Sequence, residues 1–128
     1  MPDAPAPLDE LPKQPNPNAS GLFMTDDELR VLRDALAREP AIVRAKVYGS
    51  RQTGIRREKD PPSDLDIDLA IEIPTDDPED AFTEFLEARW RLHAAPGLRL
   101  EVEDLTDAGS PRYAARQAGV LIFDRSDP

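Results

Sequence analysis

The chain has 128 residues with 26 acidic and 16 basic side chains, a formal net charge of -10 and 39% hydrophobic residues, enough apolar material for one modest core and too little length for two ordinary domains. The absence of cysteine excludes disulfides, thiolate metal sites and cysteine nucleophiles, and a single histidine, His93, excludes a multi-histidine zinc cage. No apolar run approaches membrane length and the Pro-rich, acidic N-terminus is unlike a signal peptide, so the expectation is a cytoplasmic protein without membrane contact.

Residues 1–20 hold six of the fourteen prolines and almost no apolar side chains. Such a segment buries too little surface to offset its ordering entropy, so it reads as a disordered Pro-rich tail, with the domain spanning 21–128. Thr25-Asp26-Asp27-Glu28 is a capping box, and Met24 and Leu29 are spaced for a hydrophobic staple. Leu29, Leu32 and Leu36 give one apolar helical face, which Pro40 ends by Arg38 or Glu39. The run from Ile42 to Tyr48 reads as a strand, and residues 49–63 as irregular or the start of a short helix.

The clearest strand pattern covers 64–73. Leu65, Ile67, Leu69, Ile71 and Ile73 fall on one face, and Asp64, Asp66, Asp68 and Glu72 on the other. Phe82, Phe85, Leu86 and Trp90 recur at helical spacing over about 79–94, and Phe82, Phe85 and Trp90 read as core. Leu98, Leu100 and Val102 alternate with Arg99, Glu101 and Glu103 as a third strand. Ser110-Pro111 reads as an N-cap and first helical position, the short helix ends at Gly119, and Val120 to Phe123 makes a fourth strand. The class is therefore α/β (α+β), a small mixed sheet with helices packed mainly on one face.

The charge is unevenly spread. Residues 41–60 carry 2 acids and 6 bases, while 61–128 carry 16 acids and 6 bases. The overall acidity argues against general nucleic-acid binding, yet a basic island directly precedes the acidic strand. Aspartates at i and i+2 on a strand lie about 6.5–7 Å apart and repel by roughly 2–2.5 kcal/mol at an effective dielectric near 20. Either the acidic face is simply solvated, or it is built to hold a divalent cation by oxygen ligands, for which Mg²⁺ suits. Val47-Tyr48-Gly49-Ser50-Arg51 runs a strand into a glycine turn at a serine, and Arg51, Arg56, Arg57 and Lys59 add positive charge. Cations and turn amides on one side, with carboxylates on the other, are what a metal-bridged triphosphate requires.

Gly49-Ser50-Arg51 through Gly54, followed by Ser63-Asp64-Leu65-Asp66, resembles the signature of the DNA polymerase beta-like nucleotidyltransferase superfamily, in particular its minimal nucleotidyltransferase branch, over about residues 25–125. The resemblance implies a nucleotidyltransferase fold in which Gly49, Ser50 and Arg51 bind the nucleotide. Asp64, Asp66 and Glu101 would ligate the metal, two Mg²⁺ ions or Mn²⁺, and carry catalysis. Asp66 with Asp68 is the alternative register, and Glu103 the alternative third carboxylate. The chain departs from the family pattern in two places. Thirteen residues separate Ser50 from Asp64, more than is usual in this branch, and the third carboxylate is glutamate where aspartate is general.

The activity implied moves an NMP from a Mg-NTP, ATP foremost, to an acceptor hydroxyl on a partner protein, as in the antitoxin of a HEPN-type toxin pair. Arg89 and His93 stand too close together for the HEPN ribonuclease motif, so that activity is not expected in this chain, and His93 reads as a helix-end or surface residue. A non-catalytic module of the same fold and a toxin-type enzyme acting on tRNA are the alternatives.

Overall fold

A computed structural model describes residues 11–55, 66–74 and 76–125. Among these residues four strands, β1 (Arg44–Tyr48), β2 (Ile67–Glu72), β3 (Leu100–Asp104) and β4 (Val120–Asp124), form one sheet in the order β3-β2-β1-β4. β1 runs antiparallel to both β2 and β4, and β2 runs parallel to β3, so the sheet is mixed. The helices are α1 (Asp26–Ala37), α2 (Ser50–Thr53), α3 (Pro78–Leu92) and α4 (Tyr113–Gln117). The long connection through α3 is what allows β2 and β3 to run parallel.

α1 begins as its sequence dictates. The Thr25 hydroxyl accepts from the Glu28 amide, and the Glu28 carboxylate accepts from the Thr25 amide. Leu29, Leu32 and Leu36 then bury against Ala45, Val47, Ile67, Leu69, Ile71, Val102 and Ile122 from the sheet, and Ala88 and Leu92 of α3 join the same core. One face of the sheet therefore carries α1 and α3. The opposite face holds a smaller cluster of Tyr48, Ala70 and Leu105, with Arg116 of α4 stacked 5.9 Å from the Tyr48 ring centre.

The structure differs from the sequence reading in three places. The tail reading runs to residue 20, yet a 3₁₀ turn at Pro17–Ala19 already belongs to the folded unit. Asn16 organises it: its side-chain oxygen accepts from the Asn18 amide, its side-chain nitrogen donates to the Met24 carbonyl, and Ala19 and Leu22 bury. α4 starts at Tyr113 rather than at Pro111, because Ser110 closes a preceding turn through the Arg112 and Tyr113 amides.

The third difference concerns α3. Phe82 and Trp90 are not core: they are 64% and 78% exposed, and of the three aromatics only Phe85 packs against the core. Ala88 and Leu92 take the buried face instead, and Arg91 fixes the helix by donating to both oxygens of buried Glu39. His93 is the C-cap of α3. Among the described residues no helix is long and apolar enough to cross a membrane.

Candidate functional site

The strand alternation that buries Ile67, Leu69 and Ile71 sends Asp66 and Asp68 to the opposite face of the sheet. The registers then decide their neighbours. Asp68 stands across from Tyr48 on β1 and beside Glu101 on β3. Glu103, two residues on, stands beside Ala70, and its carboxylate lies 3.8 Å from the Arg116 guanidinium. Of the two glutamates considered from sequence, Glu101 is thus the one that joins the aspartates.

The Asp68 carboxyl is pushed up to about 7, first by burial, then by a hydrogen bond with Glu101 and by the Glu101 and Asp66 charges; Arg112 opposes the shift. Asp66 is also raised, chiefly by burial, and Arg99 pulls it back from 3.7 Å. His93 and Arg51 act on Asp66 in the same sense as Arg99. Asp66 and Glu101 thus crowd Asp68 with negative charge, and the Asp68 carboxyl keeps its proton up to about 7.

The glycine turn meets this group directly. β1 ends at Tyr48, Gly49 turns the chain at φ 73 and ψ -145, and Ser50 opens α2. A Cβ on Gly49 would lie 2.2 Å from Oδ2 of Asp68. Only glycine allows both the backbone angle and that approach. Gly49 thus stands against Asp68, whose neighbour on β3 is Glu101, and Ser50 follows at the start of α2.

Arg51 is turned toward the start of α1, and its charge also acts on Asp66. It is 3% exposed, its two terminal nitrogens each donate to one oxygen of Glu28, and one of them also donates to the Phe23 carbonyl. The guanidinium, expected at a nucleotide, braces α2 against the start of α1. The other described cations of the basic island are likewise engaged: Arg44 with Glu72 and Asp124, and Lys46 with the Gln117 carbonyl. Asp64, with Arg56, Arg57, Lys59 and Ser63, lies outside the described residues.

No family model matches this chain, and no curated protein matches it. What the described residues offer is a set of oxygen donors at one end of β2 and β3, next to a glycine-constrained turn. Among them no group of three or more His, Cys, Asp or Glu side chains is arranged as a ready cage for a metal ion. Sequence reasoning missed Arg99 and Arg112 among the cations that act on the aspartates. Arg99 carried a signal, since it alternates with Leu98 and Leu100 on the same side as Glu101; Arg112 lies in a turn and carried none.

Proposed function

We propose that this chain is a metal-dependent nucleotidyltransferase, moving a nucleoside monophosphate from an NTP to an acceptor hydroxyl. The observation that carries the reading is the pairing of Asp68 with Glu101 on neighbouring strands, pressed by the Gly49 turn. Two carboxylates held together at the cost of a proton are a favourable site for a hard cation. Magnesium commonly binds through one or two carboxylates plus substrate phosphates, so a cage of three protein ligands is not required. The donor set, all oxygen, fits Mg²⁺ or Mn²⁺.

Asp66 is a proposed metal ligand, partnered by Asp64 as in the sequence signature or by Asp68 in the alternative register. A bound Mg²⁺ would supply charge neutralisation at the transferring phosphoryl group. Glu101 would accept the proton of the acceptor hydroxyl, whose oxygen forms a bond to the α-phosphorus as the bond to the β-phosphate breaks and pyrophosphate leaves. Gly49 lets the backbone approach the phosphates, Ser50 adds a hydroxyl, and Arg99 and Arg112 contribute positive charge. Arg51 would serve as a brace rather than as a nucleotide ligand. The mixed α/β sheet is compatible with a nucleotidyltransferase fold. ATP is the first donor to test, and the hydroxyl of a HEPN-type partner protein the first acceptor.

The inward turn of Arg51 favours a second reading, a non-catalytic nucleotide- or partner-binding module of the same fold. Calorimetry with ATP, GTP, CTP and UTP, with and without Mg²⁺, separates the two. Metal-dependent binding that Asp68→Asn abolishes, with a mass gain of one NMP on an acceptor, supports the transferase. Binding without transfer supports the module, and no metal-dependent binding sinks the first reading.

A further inference from the structure

α3 leaves an apolar ridge uncovered. Phe82, Leu86 and Trp90 lie four residues apart on one side of the helix and are 64%, 41% and 78% exposed. The helix is pinned from its other side by Ala88 and Leu92 in the core and by the Arg91–Glu39 ion pair, so the ridge is held outward. Contiguous exposed aromatic surface of this kind marks an interaction site.

The pattern along the ridge is symmetric about Leu86. Phe82 and Trp90 stand four residues to either side, and Glu79 and His93, both exposed, stand seven residues to either side. In an antiparallel pair of identical helices, positions equally far from the two-fold axis face each other. Leu86 would meet its own copy, each Phe82 would meet a Trp90, and each Glu79 would meet a His93 with Arg89 one turn before it. A foreign partner would impose no such complementarity between the two halves of one helix.

We infer that this face of α3 is a two-fold self-association surface, on which a second copy of the chain lays its own α3 antiparallel across the Phe82–Leu86–Trp90 ridge. Rows of side chains four apart pack into one another at a crossing angle of about -50°. Acid opposite base at both ends holds the register. The inference does not depend on the nucleotidyltransferase reading.

Trp90 is the only tryptophan, so its emission reports the interface alone. Sedimentation equilibrium of the full chain, from low micromolar to millimolar concentration, should show a monomer–dimer equilibrium with a parallel blue shift of emission. Leu86→Glu, which sets two carboxylates on the axis, should raise the dissociation constant about 30-fold or more without changing the circular dichroism spectrum. Glu79→Lys and His93→Glu should each weaken the dimer by about fivefold, and the double variant should restore it. A monomer at every concentration overturns the inference, as does association that Leu86→Glu leaves unchanged. Failure of the double charge swap to restore a dimer weakened by the single ones overturns the antiparallel register.

Discussion

Gly49 approaches Asp68 so closely that the first carbon of any side chain would lie 2.2 Å from Oδ2 of the carboxyl group. Gly49→Ala must therefore displace Asp68 while also forcing an L-residue to φ 73 and ψ -145. We expect a stability loss of about 2 kcal/mol or more in urea unfolding. Metal-dependent nucleotide binding should weaken as well. In Gly49→Ala/Asp68→Ala the clash is gone and only the backbone strain remains, so part of the stability should return. Full stability in the single variant would contradict the geometry.

The Asp68 carboxyl gives the metal-free protein a specific pH dependence. Its folded value of about 7 stands above the 3.8 of an ordinary aspartate. Between those values the folded state holds a proton that the unfolded state has released. The contribution is present in full below about pH 4 and is lost as pH rises through about 7. Asp68→Asn removes the effect, so the variant should gain on the parent by about 2 kcal/mol at pH 8, allowing for solvent screening, and by little at pH 4. Thermal melts of both proteins across this range check the slope. A constant difference would show that Asp68 does not hold the proton.

Arg51 and Glu28 should behave as one structural unit. Arg51→Ala leaves a buried carboxylate that also caps α1, and should cost about 3–5 kcal/mol. Replacing both with methionine removes the charges together, and should recover much of that loss. If Arg51 instead acts on nucleotide, Arg51→Lys would reduce affinity while the melting temperature stayed unchanged.

Glu101 and Glu103 are separated by their neighbours. Glu101→Gln should lower transfer by about 100-fold, the scale of a lost general base. Glu103→Gln, whose side chain faces Arg116, should leave turnover within about threefold and act through stability. The reverse order in single-turnover kinetics would move the third role to Glu103.

Local rules in the sequence carry much of this fold. The Thr25–Glu28 capping box states its own hydrogen bonds, and the alternation from Ile67 to Ile71 states which side of β2 is buried. What escapes is whatever depends on partners distant in sequence. Phe82 and Trp90 have core chemistry and helical spacing, but they lie on the side of α3 away from the sheet, and which side faces inward is decided by Ala88, Leu92 and the reach of Arg91 to Glu39. Arg51 belongs to a glycine-serine turn that suggests phosphate contact, yet a buried carboxylate 23 residues earlier claims it. The choice between Glu101 and Glu103 likewise rests on strand register. Asp68 shows what register adds: one more aspartate in an acidic run, until β3 brings Glu101 beside it.

The strand order also has a consequence for synthesis. β1 lies between β2 and β4, yet it is made before either of them. As the chain leaves the ribosome, one edge of β1 waits for residues 67–72 and the other for residues 120–124. An open strand edge with apolar side chains is a template for wrong pairing. The short β4 therefore acts as a closing seam: until it is added, the interior of the finished sheet is a boundary of the unfinished one.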